Sequence, residues 1–254
     1  MFRIVLLAVF LIPSPSIAQE QAPHGNAAAE IRKLLDGLPV GTPAEYEKIP
    51  DIWRAAIAAG KRNTTQELLE ILKLSLPKAD EPLHDWQAVV IGGGIVNGLG
   101  LEGHWPRERI AELLKQQPEL KPRWKRTIEL SIQMAHDESV KSGTRYDALR
   151  ILGAEPFEKA GTHLTKYLDS EDTQLQQGAV SGLADIKDKR STTALINAFK
   201  DLNENNRKFA IDALLRTERR KDQLREAVNS GKIPETALTK EQHRRLDAES
   251  RIAR

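Results

Sequence analysis

Cysteine is absent from all 254 residues, and that absence closes several routes. Without a thiol there is no disulfide framework, no lipid anchor on cysteine, no thiolate nucleophile, no cysteine-ligated metal and no covalent haem attachment through CxxCH. A cysteine-free chain also suits an oxidising compartment, where nothing in it can mispair. Stability must then come from packing. An excess of one charge is lacking as well: 38 Lys and Arg against 36 Asp and Glu leave a net charge of +2. Such a balance predicts neither a nucleic-acid nor a membrane-surface partner. The six histidines, His24, His84, His104, His136, His163 and His243, form no HxxxH or HExxH pair, so no metal site is expected. Strand-like alternation lasts nowhere along the chain.

What is present begins with a targeting pattern. Arg3 supplies a positive start, residues 4–12 (IVLLAVFLI) a short apolar core, and Ser16 and Ala18 the small residues of a cleavage site. Residues 1–18 therefore read as a secretory signal peptide. The apolar run is well short of the ~20 residues that span a bilayer, so no stable membrane insertion is expected after cleavage. The localisation implied is periplasmic or secreted. Residues 19–28 (QEQAPHGNAA) are small and polar, as in a flexible linker.

Helical spacing then takes over. Ile31, Leu34, Leu35 and Leu38 predict a first helix over about 27–38, ended by Gly41 and Pro43. Pro50 reads as the start of the next helix, with Ile52, Trp53, Ala56 and Ile57 on one face and Gly60 as its C-terminal cap. Thr64 and Glu67 have capping-box spacing before Leu68, Leu69, Ile71 and Leu72. Pro106 starts another helix, and Pro118 and Pro122 precede a longer one.

From residue 143 the chain repeats itself. TRYDALRILG, LQQGAVSGLA and NRKFAIDALL superpose at a period of about 31. Ala148, Ala179 and Ala210 share one column, Leu149, Val180 and Ile211 the next, and Leu152, Leu183 and Leu214 a third. The second helix of each unit matches through Leu164, Leu195 and Leu224, then Leu168, Phe199 and Val228. A helix pair repeating at this length is the signature of an α-solenoid of HEAT or armadillo type. The expected fold is all-α: residues 29–140 form an N-terminal helical part, and residues 141–254 form HEAT-like repeats with a basic C-terminal cap. Residues 207–254 carry thirteen Lys and Arg against eight Asp and Glu, a local net charge of +5. Aromatics do not interleave with these basic residues, so no nucleic-acid partner is expected.

Residues 85–98, DWQAVVIGGGIVNG, offer the one pattern that suggests catalysis. A buried strand ending in a glycine turn would place a flavin or nicotinamide pyrophosphate on a helix N-terminus. The spacing here is Gly92-x-Gly94-x-x-x-Gly98, not G-x-G-x-x-G, and no second strand ending in an acid follows. The stretch reads better as a helix whose glycines permit close packing. A flavin- or nicotinamide-dependent oxidoreductase is kept as the alternative.

IWRAAIAAGKRN (52–63), LPKADEPLHDWQAVVIGGGIVNGL (76–99), GTRYDALRILG (143–153), LQQGAVSGLADI (175–186) and NRKFAIDALLR (206–216) together resemble the HEAT-like region of exported, haem-binding, dehydrogenase-like proteins of the PVC type. In that family the region usually lies between a sugar-dehydrogenase-type β-propeller and a cytochrome-like module with CxxCH. The resemblance implies a helical fold, export and association with periplasmic redox systems. It carries over no haem and no catalytic centre, because neither flanking module is present. A piece of a larger haem-containing dehydrogenase is a further alternative.

No cofactor and no catalytic constellation is expected from these residues. The expected function is a scaffold or accessory subunit that binds a protein partner. The residues singled out are Trp53, Arg54, Asp85, Trp86, Arg145, Tyr146, Asp147 and Arg207. They either line a concave face, where Trp, Tyr and Arg dominate binding energy, or tie neighbouring repeats together by polar contacts. Solvent exposure separates the two roles.

Overall fold

The computed structural model describes residues 26–38, 43–77 and 85–248. The expected signal peptide, most of the expected linker, the connection at 78–84 and the last six residues lie outside the described residues. Thirteen α-helices and one 3-10 turn (Glu235–Ala237) make up the described chain, and no strand occurs among the described residues. None of these helices is long and apolar enough to cross a membrane.

The N-terminal part holds α1 (Ala27–Leu35), α2 (Pro43–Arg62), α3 (Thr65–Ser75), α4 (Asp85–Leu101), α5 (Pro106–Gln116) and α6 (Leu120–His136). The repeating part holds α7 (Ser142–Leu152), α8 (Phe157–Thr165), α9 (Thr173–Ala184), α10 (Lys189–Ala198), α11 (Glu204–Leu214), α12 (Glu218–Asn229) and α13 (Lys240–Asp247). Helices α2, α4, α7, α9 and α11 pack one against the next in a row. Helices α3, α5, α6, α8, α10 and α12 back that row.

The glycine stretch is α4. Its apolar residues Val89, Val90, Ile91, Ile95, Val96 and Leu99 are fully buried, and Leu101 at its C-terminal end is exposed, so most of the helix has no solvent face to keep polar. Its glycines are contact points. A Cβ on Gly94 would sit 2.7 Å from Ala56 Cβ, and one on Gly98 2.8 Å from Gly60 Cα. The α2 and α4 backbones meet there at a distance only glycine allows. On another face, a Cβ on Gly93 would sit 2.7 Å from Asp147 Cβ, which brings α7 equally close.

Several expected boundaries move. The linker yields to α1 at Ala27: Ala27 and Ala28 are buried, and Asn26 caps the helix through its side chain. The helix ends at Leu35, followed by Gly37 at φ 66°. Pro50 does not open a helix; it lies on the exposed side within α2. Burial of Ile52, Ala55, Ala56 and Ala59 on the opposite side outweighs the one backbone bond the proline removes. Gly60 is not a cap, since α2 runs on to Arg62 and Asn63 turns the chain at φ 52°. Thr64 stands at the N-cap of α3 but makes no side-chain cap bond. Glu67 instead accepts from the Ala27 backbone N–H at 3.0 Å and pairs with Arg62 at 2.6 Å, joining α1 to α3.

The repeat columns are the core of the second part. Ala148, Ala179, Ala210, Leu149, Val180, Ile211, Leu152, Leu183, Leu214, Leu164, Leu195 and Leu224 are fully buried. Polar bonds recur at the same interval. Ser142 bonds Asp172 thirty residues on, Asn206 Nδ2 donates to Gln176 Oε1 at 2.9 Å, and Arg216 pairs with Asp185 at 2.7 Å.

Candidate functional site

Tyr46, Ile49, Pro50 and Trp53 fall at three-, four- and seven-residue spacing along α2, so they share one side of that helix. Across from them stand Lys141, Gly143, Thr144, Tyr146 and Asp147 at the start of α7, and Gln174 and Gln177 on α9. Together they enclose a cleft of about 420 Å³. That volume lies in the range of small-ligand or side-chain pockets. The α9 wall is held in place by Asp172, which caps that helix through the backbone N–H groups of Gln174 and Leu175 and accepts a bond from Ser142 of α7.

At the floor, Trp53 Nε1 donates to Asp147 Oδ1 at 2.8 Å. Asp147 is 4% exposed. The missing side chain of Gly93 makes room for it. Burial pushes its carboxyl well above the ordinary carboxylate range, opposed by the Trp53 hydrogen bond and by the charge of Arg150. Burial also raises the Tyr146 phenol, again with Arg150 opposing. At the rim, Lys141 Nζ lies 3.8 Å from the centre of the Tyr46 ring, a distance at which an ammonium is attracted to the ring face. The cleft thus combines aromatic walls, two glutamine amides and one buried carboxyl that holds its proton more firmly than usual.

The eight residues singled out from the sequence take five different places. Trp53, Tyr146 and Asp147 converge on the cleft. Arg145 and Arg207 occupy equivalent positions in their units and do the same job: Arg145 Nε donates to Ala135 O and Arg207 Nε to Phe199 O, both at 3.1 Å. Gln176 holds that position in the unit between, and donates to Leu168 O at 3.1 Å. These three side chains tie each new helix to the carbonyls closing the helix before it. Arg54 is exposed beside Asp51 on the same helix. Trp86 is buried in the core at 9% exposure; it lines no open face. Asp85 begins α4, and its side chain lies outside the described residues.

No protein-family model, no curated protein and no solved structure matches this chain. The site is read from its own chemistry. Tyr46, Lys141, Gln174 and Gln177 escaped the sequence reading. Tyr46 carried a signal, since it lies seven residues before Trp53, but only if α2 continues through Pro50.

Two other polar centres lie outside the lining of the cleft. Arg150 and Asp185 are both buried and approach to 2.8 Å in the space left by Gly100. Arg216 adds a second contact to Asp185 and stacks on Trp105 at 4.1 Å. Arg220 is held by the carbonyls of Ala184, Ala213 and Ile186, and burial, then Arg216, pushes its pKa down to about 10. The second centre lies between α6 and α8, where His136 contacts both Tyr167 and His163. Among the described residues, no group of three or more His, Asp or Glu is arranged to hold a metal ion.

Proposed function

We propose that this chain is an exported, HEAT-like α-solenoid whose cleft between α2, α7 and α9 binds a segment of a protein partner. The reading rests most on one observation: Trp53 and Tyr146, residue types that dominate binding hot spots, meet in a single open cleft formed by helices far apart in sequence. The glutamine amides on α9 supply both donors and acceptors for a peptide backbone. The solenoid assignment draws on the row of helices α2, α4, α7, α9 and α11 and on the burial of the 31-residue columns. Export draws on the pattern at residues 1–18. The resemblance to PVC-type proteins adds a periplasmic redox system as the setting, with this chain as an accessory subunit without turnover of its own. The oxidoreductase alternative loses its main support, because residues 85–101 are helix where a dinucleotide turn needs a strand.

A photo-crosslinking residue at Gln177, on the cleft, and another at exposed Glu226 on α12 test the proposal in native periplasm. A defined partner captured from position 177 and not from 226, and lost when Tyr46→Ala is added, is the expected result. Capture from both positions alike, or from neither, overturns it.

A further inference from the structure

Resting on the protein-binding reading above, we infer that the cleft seats an alkylammonium group, the side-chain amine of a lysine on the partner, against Asp147 and the faces of Tyr46 and Trp53. Three features point to a cation. Among the described residues lining the cleft, the one carboxyl group is that of Asp147 at its floor. One of its oxygens accepts from Trp53, and the described residues give the carboxyl no other hydrogen bond. Three of the residues lining the cleft are aromatic, Tyr46, Trp53 and Tyr146, and aromatic ring faces attract ammonium groups. An ammonium is already in place on one of those faces: Lys141 Nζ over Tyr46. Lys141 is exposed and free to swing outward, so an incoming lysine amine exchanges one cation for another on Tyr46 and gains the carboxylate below.

The carboxyl also sets a pH dependence. Burial favours its protonated form in the empty cleft. A bound ammonium favours the carboxylate, so binding releases a proton to solvent and tightens as pH rises. Among the described residues, the ionisable groups that line the cleft with Asp147 are Tyr46 from α2 and Lys141 and Tyr146 from the start of α7, and the charge of Arg150 on α7 also acts on it. Arg150 is itself engaged by Asp185 at the end of α9, the α9 groups on the cleft are neutral glutamines, and α4 presents glycine.

The test uses n-butylammonium as probe, with n-butanol and butyrate as neutral and anionic counterparts. The readout is the Trp53 indole N–H signal in a ¹⁵N spectrum of the full mature chain. Butylammonium is expected to shift that signal saturably at pH 7.5 and to bind about tenfold or more tighter than butanol, the scale of a hydrogen bond to a charged group. Asp147→Asn, which keeps the acceptor for Trp53, is expected to remove that advantage. Wild-type affinity is expected to rise from pH 5 to 7.5, a measurement that needs no variant. Equal binding of butanol and butylammonium, no shift at all, or an affinity independent of pH overturns the inference. Partner crosslinking at Gln177 that persists in Asp147→Asn overturns the lysine anchor and leaves the protein-binding reading intact. Butylammonium binding without any crosslinked partner does the reverse.

Discussion

At His136 the two shortest side-chain hydrogen bonds are satisfied together by a proton on Nδ1. Tyr167 Oη donates to Ala135 O at 2.7 Å, so it can only accept from His136 Nδ1 at 2.8 Å. His136 Nε2 is then the acceptor for His163 Nδ1–H at 2.9 Å. A further proton on His136 faces an N–H already pointing at it. Burial lowers the pKa of His136, and Lys166, His163 and Arg145 lower it further. The folded value lies below the unfolded one of about 6.5, so the unfolded chain takes the proton first as pH falls. The stability this residue contributes is complete above that value and is lost as pH falls through the folded pKa. The urea midpoint of the wild type is expected to drop between pH 7.5 and 5.0 by more than that of His136→Gln. The site is partly exposed, so the difference corresponds to less than about 1 kcal/mol; equal drops would show that His136 carries no such linkage. Nothing in the sequence announced this cluster, because its histidines lie 27 residues apart on different helices. Trp53, Tyr146 and Asp147 were legible for a different reason: a large aromatic or a charge beside a small-residue column must either pair or face solvent, and these do some of each.

Helices α2 and α4 show what the glycines contribute at the scale of an element. A glycine inside a helix costs roughly 1 kcal/mol relative to alanine, and α4 carries Gly92, Gly93, Gly94, Gly98 and Gly100. That cost is offset where two backbones touch. Adding a methyl at Gly98 meets Gly60 Cα and Lys61 N, both at 2.8 Å and both backbone atoms that cannot rotate away. Gly98→Ala is expected to lower stability by about 1–3 kcal/mol, the usual penalty of overpacking. Gly143→Ala, where nothing lies within 4 Å, is expected to raise it by up to about 1 kcal/mol. Denaturant midpoints of the two variants check both signs, and a neutral Gly98→Ala would mean that α2 and α4 part easily. The same contact explains why the sequence misplaced the ends of α2. Gly60 has the residue type of a cap, and Pro50 that of a helix start. Both types serve another purpose when a helix on the far side of the chain fills the space. Helix existence followed from apolar spacing, whereas these boundaries depended on a partner 35 to 40 residues away.

Across the whole molecule, protection from solvent is graded along the row of helices. Helix α4 touches both α2 and α7 and is backed by α3, α5 and α6, while α7 and α9 are flanked on both sides in the same way. At the far end, α13 buries only Gln242 and Leu246 and is tied back through Asp212, which accepts from Gln242 and Arg245. Local opening follows the number of buried apolar contacts that must break. Amide hydrogen exchange is therefore expected to be slowest in α4, α7 and α9, where opening requires global unfolding, and fastest in α13. The all-helical class and the buried columns were legible because they recur at a fixed interval. The end-to-end gradient was not, since it depends on which helices have a neighbour on each side. The cleft sits near the protected centre: α2 and α7, two of its walls, both pack on α4, and α9 is held against α7. A partner or ammonium bound there should slow exchange at the first turns of α7 and α9 and leave α13 unchanged. Slowing confined to α12 and α13 would instead move the binding surface to the basic end of the chain.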